Sequence, residues 1–522
     1  MRLDYSRLTM TKECVIFNEV VFLYDSSSLP VFDGLSVRLG AGWTGIIGPN
    51  GSGKTTFLRL ACGELISLRG SVNLPDQVIY CQQRTDQIPT ELKTFLKTDN
   101  HIACTLRGQL KIQEGWVSRW ETLSHGERKR TQIAVALWQQ PRVLAIDEPT
   151  NHIDLEARQL LAAALRSFRG IGLLVSHDRD LLDNLCKRTL FIEPPNAILR
   201  PGGYTKALEL AKAEQQRALR LRTKAKRKLT RLQREISNRA REAAKANRRR
   251  SKRGLAPKDH DARFVRGLAR YSGKDGQAGR KLRQLDGRQQ RAQAELSNTH
   301  IKKQQQLGIN IRGERSGRNT LFHLPAGSIR LGNDLPLVFP ELSITPQDRI
   351  AIIGSNGTGK STLIRHIINQ LDLPEQKVVY LPQEIDRFKA RQIVNSVRNL
   401  PKTKLGDAMT FVSCLGSNPQ RLMETAEPSP GELRKLLLAV GMAEKPYLII
   451  MDEPTNHLDL PSITCLESAL KDCVCSLLLV SHDLRFLQTL TRTCWKITED
   501  EPDNVKMCLT VDNMGTQRWR KF

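Results

Sequence analysis

The sequence predicts an α/β protein in which two similar domains stand in tandem and are joined by a long α-helical hairpin. The glycine-rich pattern G-x-x-x-x-G-K-[ST] occurs twice, at Gly48–Thr55 and at Gly354–Ser361. Each copy is followed by the same polar landmarks in the same order. A strongly basic segment, rich in residues that favour helices, separates the two copies. At 522 residues the chain is also too long for a single hydrophobic core.

Each glycine-rich segment is predicted to form a loop whose backbone N–H groups surround phosphate oxygens. In such a loop the lysine reaches the β- and γ-phosphates, and the next hydroxyl side chain binds Mg²⁺. The residues expected to bind a nucleotide in this way are Gly48, Pro49, Asn50, Gly51, Ser52, Gly53, Lys54, Thr55 and Thr56 in the first copy and Gly354, Ser355, Asn356, Gly357, Thr358, Gly359, Lys360, Ser361 and Thr362 in the second. Of these, Thr55 and Ser361 are the expected Mg²⁺ ligands.

An apolar strand that ends in Asp-Glu follows each loop, in VLAIDEP and in LIIMDEP. The aspartate comes 93 residues after the loop lysine in the first half and 92 residues after it in the second. We expect Asp147 and Asp452 to support Mg²⁺ through water. The adjacent Glu148 and Glu453 are expected to orient and polarise the attacking water as general bases.

A histidine follows each aspartate by thirty residues and lies in a Ser-His-Asp context. A single histidine at the end of a strand is more often structural. Two in the same context favour a role in the site, so His177 and His482 are predicted to contact the γ-phosphate. The near-identical spacing of all these landmarks indicates an internal repeat with an insertion between the copies.

A Ser-x-Gly-Glu pattern precedes each acidic strand, in LSHGE (Leu123–Glu127) and in PSPGE (Pro428–Glu432). Each pattern lies at the predicted start of a helix, where free backbone N–H groups make a site for phosphate. Taken alone, the pattern is explained better as a simple helix cap, with Ser124 and Glu127 forming a capping box.

The basic segment runs from Thr205 to Arg318. It holds 34 Lys or Arg against 10 Asp or Glu, so it carries +24 of the net charge of +27. Its acids are too few to neutralise it, and self-repulsion makes such a segment costly without a polyanion. Binding to a phosphate backbone is therefore the simplest explanation. A membrane surface is disfavoured, because no stripe of Trp or Phe accompanies the charges.

The same segment predicts long helices. Lys206–Arg250 lacks Gly and Pro and should form one helix about 65–70 Å long. After a turn, helix is expected again at Ala262–Tyr271. The glycine-rich Gly273–Gly279 should interrupt it, and a last helix should end near Lys303. Two such helices would form an antiparallel hairpin.

Composition limits the remaining possibilities. No apolar run approaches the roughly 18 residues that span a bilayer, and no signal-peptide core precedes the first domain. The eleven cysteines are scattered apart from Cys473 and Cys475, and no second pair stands at metal spacing, so zinc is not expected. Free thiols in such a chain indicate a cytoplasmic protein.

The combined motifs resemble the ATP-binding cassette, and DEPTNHID (Asp147–Asp154) with DEPTNHLD (Asp452–Asp459) resembles the ABC-F family of twin-cassette ATPases that act on ribosomes. The resemblance covers both halves, roughly 400 of the 522 residues. It implies cassettes at residues 1–204 and 319–522, a linker at 205–318, and ATP with Mg²⁺ as cofactors. It also identifies Gln83 and Gln383 as glutamine-loop residues.

The resemblance further implies that the cassettes of one monomer pair head to tail, with each ATP between one phosphate loop and the opposite signature. Asp154 and Asp459 would lie in loops at the cassette interface. The first site would combine Lys54, Glu148 and His177 with Ser429 and Gly431. The second would combine Lys360, Glu453 and His482 with Ser124 and Gly126. Tyr24 lies where an adenine-stacking aromatic is expected, and the second half offers none near Arg330.

The long linker, together with the short span between glutamine loop and signature, resembles the antibiotic-resistance members of that family. The resemblance implies a 70S ribosome partner, with the linker reaching toward peptidyl-tRNA and displacing drugs from the peptidyl-transferase centre or exit tunnel. The expected contacts with RNA phosphates are Arg250, Lys252, Arg253, Lys258 and Lys274.

Two other functions stay open. A housekeeping translation or ribosome-rescue factor of the same family would share these cassette motifs. The ATPase subunit of a membrane transporter would share the cassettes, but that function gives no reason for the basic hairpin.

Overall fold

The computed structural model describes residues 14–25, 27–151, 153–250, 274–298, 313–332, 335–417, 419–425, 428–456, 458–500 and 506–513. The chain divides into two compact units. One consists of the chain up to Ala207 and from Gln305 onward, and it holds both α/β halves. The other, Leu208–Gln304, holds most of the basic segment.

The first half alternates strands and helices. Its strands are β1 (Cys14–Phe22), β2 (Phe32–Gly40), β3 (Gly42–Ile47), β4 (Arg69–Asn73), β5 (Val78–Cys81), β6 (Val143–Asp147), β7 (Ile171–Val175), β8 (Arg188–Glu193) and β9 (Asn196–Pro201). Its helices are α1 (Lys54–Ala61), α2 (Leu92–Lys97), α3 (His101–Gln109), α4 (His125–Trp138), α5 (Leu155–Arg166) and α6 (Arg179–Leu185). Short 3-10 turns lie at Glu114–Trp116 and Trp120–Thr122.

A six-stranded sheet with the order β5-β6-β7-β3-β8-β9 forms the centre of this half. Its first five strands are parallel and β9 pairs antiparallel with β8. Every residue of β6 and β7 is buried, as expected for parallel strands covered on both faces. A separate antiparallel sheet, β2-β1-β4, carries the chain before and after the first phosphate loop.

The basic segment contains two helices, α7 (Tyr204–Arg250) and α8 (Lys274–Asn298). The predicted long helix is confirmed and begins two residues earlier than expected. The predicted interruption at Gly273–Gly279 is wrong for Lys274–Gly279, which form the start of α8, and Gly273 lies outside the described residues. Each glycine costs a helix only about 1 kcal/mol, which neighbouring Lys, Arg, Gln and Leu can offset. The helix expected at Ala262–Tyr271 lies outside the described residues.

Within this unit the two helices are in contact. Lys228 Nζ of α7 lies 3.0 Å from Glu295 Oε2 of α8. Leu229, Leu285 and Ala292 are buried, which gives the pair a small apolar seam. The helices are therefore held by packing and by a charge pair, while most of the basic side chains that the structure describes in them face solvent.

The second half repeats the plan of the first. Its strands are β10 (Phe322–Leu324), β11 (Gly327–Arg330), β12 (Pro336–Phe339), β13 (Leu342–Ile344), β14 (Arg349–Ile353), β15 (Val378–Leu381), β16 (Leu448–Asp452), β17 (Ser476–Val480), β18 (Thr493–Asp500) and β19 (Lys506–Asn513). Its helices are α9 (Lys360–Asn369), α10 (Arg387–Arg398), α11 (Lys402–Cys414), α12 (Pro419–Glu424), α13 (Pro430–Ala443), α14 (Leu460–Lys471) and α15 (Leu484–Leu490), with a 3-10 turn at Glu375–Lys377.

The main sheet of the second half has the order β11-β12-β19-β18-β14-β17-β16-β15, and β10 pairs with β13 in a separate two-stranded sheet. Its core order β18-β14-β17-β16-β15 matches β8-β3-β7-β6-β5 of the first half. In both halves the acidic strand ends level with its neighbour, Asp147 opposite Val175 and Asp452 opposite Val480. The internal repeat predicted from spacing is therefore a repeat of the fold.

Aspartate caps position the loops around the acidic strands. Asp154 and Asp178 each accept a backbone N–H bond of 2.9 Å at the start of α5 and α6. Their counterparts Asp459 and Asp483 accept bonds of 2.9 and 3.0 Å at the start of α14 and α15. Such caps satisfy the free N–H groups of a helix start, so these loops are rigidly attached to their helices.

The prediction that the cysteines carry free thiols needs one correction. A disulfide joins Cys473 and Cys475, whereas none of the other nine cysteines, all within the described residues, takes part in a disulfide. The Cα atoms of Cys473 and Cys475 lie 5.6 Å apart, a separation that a disulfide can bridge.

None of the helices in the described ranges combines the length and the apolar character that crossing a bilayer requires.

Candidate active sites

Both glycine-rich loops connect a central parallel strand to a helix, β3 to α1 and β14 to α9. Gly53 and Gly359 adopt φ of 91° and 92° immediately before the lysine that begins each helix. A Cβ added at Gly53 would lie 2.5 Å from Val31 Cγ1, so only glycine fits there. The loop therefore brings the free N–H groups of a helix N-terminus to its surface, which is the arrangement that binds phosphate.

The loop lysines fold back over their loops. Lys54 Nζ donates to Gly48 O at 3.0 Å, and Lys360 Nζ donates to Gly354 O at 2.8 Å. Burial lowers the pKa of both ammonium groups, and the nearby carboxylates oppose that change. Each lysine thus places a cation where the loop would hold the phosphates.

The expected Mg²⁺ ligands meet in pairs. Thr55 Oγ1 lies 2.7 Å from Asp147 Oδ2, and Ser361 Oγ lies 2.6 Å from Asp452 Oδ2. A hydroxyl and a carboxylate beside a phosphate loop form the hard oxygen set that Mg²⁺ prefers. The donor set therefore fits the metal. Tyr80 also donates to Asp147, at 3.2 Å, which orients that carboxylate.

The two candidate general bases share an unusual backbone. Glu148 and Glu453 have φ of 45° and 51°, in the left-handed region that non-glycine residues rarely adopt. Burial, and then the charge of Asp147, raise the pKa of Glu148 to about 8. Burial also raises the pKa of Glu453, to about 7, and there the cations Arg158 and Lys360 oppose the rise.

Each histidine contacts the glutamate of its own half. His177 N donates to Glu148 Oε2 at 3.2 Å, and its Nε2 lies 3.1 Å from Oε1 of the same carboxylate. His482 N donates to Glu453 Oε2 at 3.4 Å, and its Nε2 lies 3.1 Å from Asn356 Oδ1. Burial, and then nearby cations, hold the pKa of His482 well below its usual value, so its ring stays neutral.

A cavity of about 880 Å³ combines the first phosphate loop with the second signature. Its lining includes the predicted residues Tyr24, Asn50, Gly51, Gly53, Lys54, Thr55, Thr56, Gln83, Asp147, Glu148, His177, Ser429, Gly431 and Asp459. Across the same interface Asn50 N donates to Asp459 Oδ2 at 2.8 Å. The ring of Tyr24 packs edge-on against Phe22, and its hydroxyl lies 2.9 Å from Thr56 Oγ1.

The cavity at the second phosphate loop is smaller, about 310 Å³. Gln383 lies in its wall, but all the described residues that line it come from the second half, so Ser124 and Gly126 of the first signature are not brought into it. The first half approaches through Asp154, whose Oδ2 lies 3.5 Å from Asn356 N. The lining contains no Tyr, Phe or Trp among the residues that the structure describes.

Both signatures form a capping box, which the alternative interpretation expected for Ser124 and Glu127. Glu127 and Glu432 each accept a bond from the backbone N–H of their cap residues, Ser124 and Ser429, at 2.8 and 2.9 Å. The cap and a place in a cavity are compatible, since Ser429 serves in both. The proline that follows Ser429 stands at the first position of α13, where a helix tolerates it.

The expected RNA contacts cannot be placed as side chains. Arg250 is the last residue of α7 and Lys274 the first of α8. Lys252, Arg253 and Lys258 lie outside the described residues.

Sequence reasoning missed two buried cations in the signature helices. Lys129 is fully buried and its Nζ donates to Asp147 O at 3.1 Å and to Gln82 O. Arg434 occupies the same position, five residues after the signature serine, and donates to Glu453 O at 3.0 Å and to Gln383 O. In each half a cation thus joins the glutamine loop to the end of the acidic strand. In the sequence both residues lie among polar residues near the start of a helix, a pattern that indicates a solvated surface.

The comparisons with known proteins agree with this geometry. The family model described as ABC transporter matches residues 32–151 and 340–456. The ribosome protection protein VmlR of Bacillus subtilis (strain 168) is 28% identical over 479 residues, which are 86% of this chain and 80% of that protein. The tylosin resistance ATP-binding protein TlrC of Streptomyces fradiae is 27% identical over 519 residues, 87% of this chain and 92% of that protein.

Among solved structures, the RNase-L Inhibitor superposes with a TM-score of 0.59 at 18% identity, covering 95% of this chain and 91% of that one. At this identity the likeness concerns the fold, and it confirms the predicted tandem cassettes. Both halves of the chain match the ABC transporter family model, which supports an ATPase with two ATP-binding cassettes, and the chain is similar along most of its length to proteins of the ABC-F family.

Proposed function

We propose that this ATPase binds the 70S ribosome and protects it from antibiotics that act at the peptidyl-transferase centre or the exit tunnel. The observation that carries the proposal is the alignment of most of the chain with a ribosome protection protein and with a tylosin resistance protein. The net charge of +24 between the cassettes supports it, because ribosomal RNA is a polyanion that would neutralise this charge.

Hydrolysis would occur at two composite sites. Bound ATP with Mg²⁺ supplies the phosphoryl group and its charge neutralisation. The loop lysines hold the β- and γ-phosphates, and Glu148 and Glu453 orient and polarise the attacking water. His177 and His482 hold these carboxylates through their backbone N–H groups, and their rings would contact the γ-phosphate. Ser429 and Gly431 close the first site from the opposite cassette, with Asp459 bonded to the first phosphate loop. Ser124 and Gly126 do the same at the second site when it closes fully.

Pairing of the two cassettes would be transmitted to the linker at the start of α7. Thr205, in the first turn of α7, donates its N–H to Asp183 Oδ1 at 2.8 Å. Arg485 of the opposite cassette donates to Asp183 Oδ2 at 2.8 Å and to Asp180 Oδ1 at 2.5 Å. The start of the linker helix is therefore tied to both cassettes. We infer that ATP-driven pairing orients the linker toward peptidyl-tRNA, and that Arg250, Lys252, Arg253, Lys258 and Lys274 contact RNA there.

The test of ribosome binding is co-sedimentation with 70S ribosomes in the presence of a slowly hydrolysed ATP analogue. The variant with Glu148→Gln and Glu453→Gln should remain bound with ATP itself, because closure persists without hydrolysis. Binding should weaken steeply as salt rises, as for any contact that releases counterions from phosphates. Absence of analogue-dependent binding would overturn the ribosome assignment.

The test of drug protection is the minimal inhibitory concentration of a susceptible bacterium that expresses the chain. We expect a rise for at least one of the macrolides, lincosamides, streptogramins A, pleuromutilins or phenicols, and no rise with the doubly substituted Glu→Gln variant. Ribosome binding without any rise would replace drug protection with a housekeeping role in translation.

A further inference from the structure

Arg158 lies at the cassette interface, in the first turn of α5 and four residues after Asp154. Its Nε donates to Ile153 O at 3.0 Å, within its own cassette. Its Nη1 donates to His482 O at 3.1 Å, in the opposite cassette. The same nitrogen lies 3.6 Å from Asp178 Oδ2, a distance of charge attraction rather than of a hydrogen bond. The side chain is only 16% exposed, so these contacts are little screened by water.

The second cassette carries an isoleucine at the position equivalent to Arg158. This residue, Ile463, lies four residues after Asp459, is 1% exposed and has a side chain that cannot donate a hydrogen bond. Arg158 and Ile463 line one interface cavity of about 320 Å³, together with both candidate histidines. The two halves therefore repeat in backbone but differ at this position, where Arg158 donates to the loop of His482 and the side chain of Ile463 has no donor for the loop of His177.

We propose that Arg158 acts across the interface as a positioning residue for the second ATP site, a support that Ile463 cannot give to the first. The bond to His482 O fixes the backbone of the loop that carries His482. That loop also donates its N–H to Glu453, and the imidazole contacts Asn356 of the phosphate loop. A displaced loop would misalign the groups that hold the attacking water, and such small misplacements are costly for catalysis.

The contact between Arg158 and His482 depends on the pairing of the two cassettes. Because the guanidinium is anchored on Ile153, directly before Asp154, it reaches His482 only when the loop of the first cassette lies against the second site. The approach of the first cassette thus brings Arg158 to the second site, whereas the equivalent residue of the second cassette, Ile463, is apolar. The inference rests on the proposed assignment of Glu148 and Glu453 to hydrolysis, and not on the ribosome.

The experiment measures steady-state ATPase activity in two backgrounds of the full chain. Glu148→Gln leaves only the second site active, and Glu453→Gln leaves only the first. Arg158→Ile reproduces the residue that the other cassette carries. In the Glu148→Gln background we expect kcat to fall about tenfold, the factor given by a barrier increase of roughly 1.4 kcal/mol, with KM for ATP within about twofold. In the Glu453→Gln background, kcat should stay within about twofold.

Arg158→Lys serves as the conservative variant and should recover part of the lost kcat, since an ammonium can still donate to His482 O. If Arg158→Ile does not fold, Arg158→Gln provides the same comparison, because its amide is too short to make both carbonyl bonds. Equal losses in the two backgrounds would overturn the inference and show a merely structural role at the interface, as would no loss in either. Turnover by the doubly substituted Glu→Gln protein would instead overturn the assignment of the glutamates.

Discussion

Arg179 joins the two cassettes through a buried ion cluster, and its replacement by methionine should weaken their closed arrangement. Arg179 Nη2 lies 2.7 Å from Glu467 Oε1 and 2.9 Å from Asp483 Oδ2, both in the second cassette. Its Nη1 donates to Glu467 Oε2 at 3.0 Å, so the contact with Glu467 is bidentate. Burial alone would lower the pKa of the guanidinium, but these carboxylates outweigh that effect and raise it.

The magnitude follows from burial. The three side chains are only 9%, 12% and 14% exposed, so water screens the cluster little. Removing one partner from such a cluster costs roughly 3–5 kcal/mol, because the remaining charges stay desolvated. The two carboxylates can recover their hydration when the cassettes separate, so the cost falls on the closed state. A cost of 3 kcal/mol changes the equilibrium constant for closure of the cassettes by more than about 100-fold. Partial structural relaxation around the two carboxylates would still leave a change of about tenfold.

The assay is equilibrium binding of a slowly hydrolysed ATP analogue that is held between the cassettes. Arg179→Met should raise Kd by at least about tenfold, whereas Arg179→Lys, which keeps the charge but loses the bidentate geometry, should fall between it and the unsubstituted protein. Adding Glu467→Gln to Arg179→Met should cost less than the sum of the single changes, since the two residues are in contact. A folded Arg179→Met protein with a Kd within twofold, or strict additivity with Glu467→Gln, would refute the reasoning.

Three further results are expected. Gly359→Ala should abolish binding at the second phosphate loop, because φ is +92° there and an added Cβ would lie 2.6 Å from Leu331 Cδ2; normal nucleotide binding would contradict this geometry. Tyr24→Ala should weaken binding at the first site by about tenfold, in line with the roughly 1–3 kcal/mol of base–aromatic stacking. Tyr24→Phe, which loses only the hydroxyl contact with Thr56, should retain most of the affinity, and an equal loss in both variants would assign the effect to the hydroxyl. Arg485→Gln should leave basal ATPase activity within about twofold but reduce ATP-dependent ribosome co-sedimentation severalfold, since its partly exposed ion pairs contribute up to about 1 kcal/mol each. Unchanged co-sedimentation would show that the contacts at the start of α7 do not transmit cassette pairing to the linker.

The parts of the site that a short stretch of chain encodes were predictable. A loop that must approach phosphate with its backbone needs glycines at particular positions, and these precede a helix that begins at the lysine. The Asp-Glu pair at the end of an apolar strand is equally local. Because both motifs recur with nearly equal spacing, the sequence also predicted the repeated α/β fold that the family comparison and the structural likeness confirm.

The local sequence did not predict correctly how glycines within a helix, or charged residues near a helix start, would be placed in the folded protein. Gly276 and Gly279 were expected to interrupt a helix, yet both lie within α8, where strong helix formers offset their cost. Lys129 and Arg434 stand in polar helix starts that resemble solvated surface, yet both are buried and hold backbone carbonyls. Composition predicts the average environment of such residues, and the partner that makes burial favourable lies elsewhere in the chain.

By itself the sequence determined the chemistry that each half carries and the concentration of positive charge between the halves, because motif, strand pattern and charge are properties of consecutive residues. Only the tertiary structure decided which residues meet across the interface: Asp459 at the first phosphate loop, Arg158 at His482, and Arg179 between two carboxylates. Those partners are separated by about 300 to 400 residues. Their contact depends on how two folded halves pack, and no local pattern in the chain encodes that packing.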